Sequence, residues 1–353
     1  MEEQERRARL ESRLRDYHGV GIDDVLEVVD YLRADGDTVI AGGSLAWDLG
    51  NRLSDFDVVI CGPETSPSRV PLEHWVKTLR VDGWTRSHAG IGRLFDHAAT
   101  ALDGDAPIQG AFGTTEEEQQ LKLLHRVAFG LRINGPALVP ATSRDHLGIA
   151  RDLLVREYAE RMRESALVAQ LAARAGRGLA AATNARLAVE ECLHTVLATR
   201  GVPFTGDKWL QERLRAVAPD LREHHDRFSA LPAPEETGAF VTGAVELCGR
   251  LTGRDLTEAA LAADLTWSAG GVRTHSVSGD HFLVVPEIGA MWRLDDEEIG
   301  VWRGLTERAE KGWRGADCSP PETDLLVRLY ERGLTKLEWD RGIPVTELEV
   351  ARA

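Results

Sequence analysis

Asp55 and Asp57 stand one residue apart in "SDFDVVICG", directly downstream of the glycine-rich "VIAGGSLAWDLGNRL". In a strand alternate side chains project to one face, so the two carboxylates share a face while Phe56 and Val58 take the other. Like charges so placed repel unless water solvates them or a divalent cation lies between them. Oxygen-only donors favour magnesium or manganese over zinc. Upstream, Gly42, Gly43 and Ser44 would leave backbone N–H groups free at the start of a helix, an arrangement that cradles phosphate. A metal binder and a phosphate binder are thus adjacent. The competing reading is a glycine turn before an exposed, Asp-rich strand edge, with Ser54 and Asp55 capping a turn.

The elements that must position these groups are legible around them. "DDVLEVVDYLRADG" sets Val25, Leu26, Val29 and Leu32 on one helical face. "DTVIAGG" reads as a short strand stopped by glycines, "SLAWDLGNRL" as a helix over about 45–52, and "DFDVVICG" as the returning strand. Together they make a small mixed α/β sheet. Beyond the turn-rich "GPETSPSRVP", the chain is expected to form a helix in "LEHWVKTLRVDG", a third strand in "GRLFDHAAT", a fourth in "APIQGAFGT" and a helix over 116–134. From about residue 144 long runs of Ala, Leu, Arg and Glu carry helical periodicity, the texture of a helical bundle. From about 272 the strand-like "RTHSVSGDHFLVVPEIGAMWRLD" precedes helices at 295–310 and 321–333.

The order Gly43-Ser44, helix, Asp55-x-Asp57 resembles the signature of the DNA polymerase beta-like nucleotidyltransferase superfamily, in which Asp-x-Asp follows the glycine pair by about ten residues. The resemblance implies an α+β chain: a nucleotidyltransferase domain with a small mixed sheet over 1–143, a helical bundle over 144–271, and a third unit over 272–353. It implies that Gly43 and Ser44 hold a nucleoside triphosphate, ATP being the expected donor. It also implies that Asp55 and Asp57 bind Mg2+ for in-line displacement at the α-phosphate. The family adds a third carboxylate from a later strand. Asp96 in "GRLFDHAA" is the candidate here, with Asp103 and Asp105 read as turn residues.

The stretch "NARLAVEECLHTVLATRGVPFTGDKWLQERL" looks like the bundle of aminoglycoside-type and minimal nucleotidyltransferases, in which a lysine reaches the triphosphate and a glutamate can act as base. Lys208, or alternatively Arg186, would supply the charge. Glu190 is the candidate base with Glu191 as its competitor, and since adjacent helix positions point about 100° apart, at most one of them faces the site. His224 and His225 are adjacent on a helix, cannot converge on one ion, and read as surface residues. The closing stretch, through "LVVPEIGAMWRLDDEEIGVW" and "LLVRLYERGLTKL", looks faintly like winged-helix domains that bind leader peptides. That implies a peptide partner for this unit.

Composition narrows the partners. The 353 residues are 43% hydrophobic and 28% charged, the balance of a globular chain. Forty-two Lys and Arg stand against 57 Asp and Glu, a formal charge of −15, which disfavours long nucleic acid and favours a small-molecule or peptide acceptor. No apolar run of about eighteen residues exists to cross a bilayer, and the charged opening stretch has no signal-peptide core, so no membrane partner and a cytoplasmic location are expected. Cys61, Cys192, Cys248 and Cys318 have neither zinc nor disulfide spacing. The function so implied is Mg-dependent transfer of a nucleoside monophosphate to a hydroxyl, with pyrophosphate released. The alternative is a non-catalytic scaffold or regulator of the same fold that binds a nucleotide or a peptide.

Overall fold

The computed structural model describes residues 3–63, 72–104, 115–136, 138, 146–202, 209–256, 265–268, 272–285, 289–309, 318–334 and 336–339. Two compact units divide the chain. The first comprises Met1–Gly104, Ile108–Val155 and Leu197–Pro219, and the second Asp105–Pro107, Arg156–Val196 and Asp220–Ala353. The protein is α+β: a mixed five-stranded sheet with an extensive helical part.

The first unit opens with α1 (Glu3–His18) and α2 (Ile22–Val28), followed by β1 (Thr38–Ala41) and a single turn of helix, α3 (Gly43–Ala46). Then come β2 (Phe56–Gly62), β3 (Leu72–Val76), β4 (Leu79–Ser87), α4 (His88–Asp103), α5 (Thr115–Phe129) and β5 (Leu131–Asn134). The sheet order is β3-β4-β2-β1-β5, with β2 and β4 parallel and every other pair antiparallel. One face carries Val39, Ala41, Phe56, Val58, Ile60, Leu79, Val81, Leu131 and Ile133, all buried in one core with Leu10, Leu14, Ile22 and Val25 of α1 and α2. Removing these side chains from water is the main stabilising term, at about 1.5–3 kcal/mol for each of the larger ones.

Four elements differ from the sequence expectation, the first being the helix expected over 116–134, which ends at Phe129 so that Leu131–Asn134 can pair as β5 with β1. "LEHWVKTLRVDG" is a β-hairpin rather than a helix: burial alternates along β3, and Lys77 takes the turn at φ +53°. "GRLFDHAAT" is helical. Ser87 caps α4 by accepting from the Gly90 amide, and Ile91, Leu94, Phe95 and Ala98 recur at helical spacing on its buried side. The helix expected over about 45–52 ends at Ala46, with Asp48 at φ +63° just beyond. The strand expected in "APIQGAFGT" lies outside the described residues.

From unit one into unit two runs α6 (His146–Arg174), followed by α7 (Gly178–Thr199), α8 (Leu210–Val217), α9 (Pro219–Ser229) and α10 (Thr237–Thr252). Of these α8 belongs to the first unit, and the second also holds β6 (Leu265–Ser268), β7 (Arg273–Val277), β8 (Asp280–Val285), β9 (Ala290–Leu294), α11 (Asp296–Ala309), α12 (Pro320–Glu331) and β10 (Lys336–Trp339). β7, β8 and β9 form an antiparallel meander, and β10 pairs with β6. Within this unit Tyr330 Oη donates to Glu164 Oε1 at 2.6 Å, and Arg177 reaches Asp324 and Glu331 at 3.4 and 2.9 Å, joining α12 to the bundle helices. All four cysteines are buried free thiols. Among the described residues no helix is long and apolar enough to cross a membrane.

Candidate functional site

Opposite residues in a β-ladder point to the same face, so the register of the sheet assembles the site. Asp57 on β2 is paired with Asp82 on β4, Val59 with Trp84, and Cys61 with Arg86. These side chains occupy the face opposite the α1/α2 core. Asp57 and Asp82 are each only 7% exposed, while Asp55 lies just before β2 and is half-buried. The third carboxylate near the Asp55-x-Asp57 pair is therefore Asp82. Its position in "LRVDGW" alternates with buried Val81 and Gly83, a strand signal hidden by reading the stretch as a helix.

Arginines balance the three carboxylates. One nitrogen of Arg80, Nη2, lies 2.7 Å from Asp55 Oδ2 and 3.0 Å from Asp82 Oδ2, and Arg126 of α5 reaches Asp57 Oδ1 at 3.0 Å. Burial is the largest influence on the Asp57 carboxyl and raises its pKa. Arg126 opposes the shift, whereas Asp55 and Asp82 add to it. Asp82 is raised in the same way, by burial first and then by Asp55 and Glu73, against the pull of Arg80. The guanidinium of Arg126 also sits 5.8 Å from the ring centroid of Trp84, and that of Arg86 sits 5.4 Å from it. Two cations beside an aromatic face suit a polyphosphate and its base.

The Gly42-Gly43 turn closes the site. The Gly42 amide donates to the Asp57 carbonyl at 2.8 Å. Gly43 has φ +70°, and a Cβ built there would lie 2.4 Å from Asp57 Oδ2, so only glycine lets the carboxylate approach the turn. Ser44 is buried, and its carbonyl accepts from the amides of Trp47, Leu49 and Gly50. Because α3 is one turn long, it contributes no substantial dipole. What remains of the phosphate cradle is the turn itself.

The other expected residues belong to other elements or lie outside the described residues. Asp96 is exposed on α4, not on a strand, and its Cα neighbours follow helical geometry rather than the alternation assumed for it. Asp103 ends the same helix, exposed, and Asp105 lies outside the described residues. Glu190 is on α7 in the second unit, 3.7 Å from Arg186, while Glu191 lies 3.9 Å from Arg161. Lys208 lies outside the described residues. His225, expected on the surface, is buried on the inner side of α9.

The donor set suits magnesium in its chemistry: all ligands would be carboxylate oxygens, and Asp82 Oδ1 is buried without a hydrogen-bond partner. Among the described residues, no group of three or more His, Cys, Asp or Glu is poised to hold a metal ion. The carboxylates are instead engaged by Arg80 and Arg126.

No family model matches the chain, and no curated protein matches it. A solved structure of a nucleotidyltransferase-like protein from Exiguobacterium sibiricum 255-15 is similar at 13% identity and a TM-score of 0.32, over 73% of this chain and 95% of that one. A likeness of that size adds nothing to what the residues themselves carry.

Proposed function

We propose that the chain is a nucleotidyltransferase that moves a nucleoside monophosphate from a triphosphate, ATP by expectation, to a hydroxyl. The observation behind this reading is the register of Asp57 with Asp82, beside Asp55 and a glycine turn that admits the carboxylate. Asp55 and Asp57 would hold Mg2+, which when bound neutralises triphosphate charge and polarises the α-phosphate. Arg126 and Arg86, released toward the donor, would bind its phosphate oxygens, and Trp84 would offer the base a stacking face. Asp82, with its raised proton affinity, is suited to take the proton of the attacking hydroxyl. The acceptor oxygen bonds to the α-phosphorus as the bond to pyrophosphate breaks. The strands of the second unit would contribute partner recognition.

A second reading, a regulator that binds nucleotide without turning it over, is favoured by the ion pairs that already satisfy Asp55 and Asp57. Magnesium-dependent pyrophosphate release from ATP separates the two. Under the first reading Asp82→Asn should lower release by more than about 100-fold, the upper range for groups that only support a metal ligand. Tight Mg·ATP binding by the wild type with no release to water or to any hydroxyl acceptor offered would favour the regulator.

A further inference from the structure

A cavity of about 500 Å³ lies within the first unit, on the sheet face that carries Asp57 and Asp82. That volume is typical of small-molecule sites. Its walls mix polar and apolar side chains, the apolar ones including Ile91 and Phe95 of α4, Leu131 of β5 and Leu147 of α6. Phe95 and His146 stack with centroids 4.0 Å apart and planes 5° from parallel, forming a flat shelf on one wall. His88 also lines the cavity, and its Nε2 is buried with no hydrogen-bond partner. A buried polar atom left in that condition is costly, and a ligand hydroxyl would satisfy it. At the rim stand Arg6, bonded to the Phe129 carbonyl at 3.0 Å, and Arg132, paired with Glu3 at 3.2 Å.

The cavity adjoins the carboxylates through two elements. Ile40, which lines it, is paired with Val59, two residues along β2 from Asp57. One strand spacing and two residues of rise put the Cα atoms of Ile40 and Asp57 about 8 Å apart. On α5, Val127 and Ala128 line the cavity immediately after Arg126, which holds Asp57.

Building on the transferase reading above, we infer that this cavity is the acceptor subsite and that the acceptor is a small, apolar, ring-bearing alcohol. Its ring rests on the Phe95–His146 shelf, a polar group at the deep end meets His88, and the reacting hydroxyl emerges past Ile40 toward the carboxylates. Arg6 and Arg132 in the cavity lining disfavour a polycationic acceptor, and a volume of this size suits a small molecule.

The probe is 2-naphthol, titrated calorimetrically into the full-length protein, with Mg·ATP binding measured separately. Saturable naphthol binding is expected. Ala128→Phe, which fills the cavity, should weaken it at least about tenfold, the usual penalty for a misfit in an apolar pocket. His88→Ala should weaken it by a smaller factor while leaving the far-ultraviolet circular dichroism unchanged, and it serves as the measure if Ala128→Phe does not fold. With Mg·ATP present, 2-naphthol should raise pyrophosphate release above the background with water. Absent binding, or binding that His88→Ala and a folded Ala128→Phe leave unchanged, overturns the subsite. Binding that the variants weaken, without stimulated release, overturns its role as acceptor site. Failure of Mg·ATP to bind would instead remove the transferase reading and leave the cavity a ligand site.

Discussion

Asp57 is a carboxylate that the fold tolerates rather than welcomes. Burial is the largest influence on it and raises its pKa above the ordinary 3.8, and Asp55 and Asp82 push the same way. The folded chain therefore holds the Asp57 proton to higher pH than the unfolded chain does. Stability must fall as pH climbs from the ordinary value through the raised one, and the penalty persists above it. Asp57→Asn keeps the volume and an oxygen for Arg126 but removes this titration. Its melting temperature relative to wild type, measured without metal, should rise as pH is taken from about 4 to 7. A difference independent of pH would show that Asp57 is not raised.

Among the elements, the glycine turn between β1 and α3 decides how closely the carboxylate is approached. Gly43→Ala meets both a positive φ and a 2.4 Å contact with Asp57 Oδ2, whereas a Cβ at Gly36, with φ +89°, meets nothing within 4 Å. Each variant should lose about 1–2 kcal/mol in urea unfolding from backbone conformation alone. Only Gly43→Ala should also abolish Mg·ATP binding. The turn was legible in the sequence because "AGGS" between an apolar run and Asp55-x-Asp57 has few other uses. Asp82 was not, because the Leu, Val and Trp of "LEHWVKTLRVDGW" satisfy helical spacing about as well as alternation. β2, the strand that fixes β4 in the sheet, lies outside that stretch. The strand expected around Asp96 is a helix for the converse reason, since "GRLFDHAA" lacks the β-branched residues that mark a strand, and Ser87 before it is a good helix cap.

For the whole molecule, the helical texture from 144 onward was readable from composition, but the contacts that join distant elements were not. Sequence cannot show that α12 is tied to α6 and α7 by Tyr330 and Arg177. Removing 272–353 should therefore do more than delete a recognition surface. It strips the buried Leu325, Leu326 and Leu329 side of α12 from its unit. The truncated protein should melt earlier and bind a dye for exposed apolar surface, while Arg177→Ala, which breaks two partly exposed ion pairs, should cost no more than about 1 kcal/mol. A truncated chain that melts as the full one does would show that the C-terminal elements are an independent appendage.

The placement of Asp57 on β2 also governs how the protein breathes. All seven residues of β2 are buried, and the strand is paired on both sides. Backbone amides in such a strand exchange with solvent only through the rarest, most global openings, whereas repulsion between surface charges is ordinarily eased by fraying. The mutual repulsion of Asp57 and Asp82 has no such local outlet. Short of unfolding it is eased by a proton or by a cation from outside the strand, the part that the Arg80 and Arg126 guanidiniums take here.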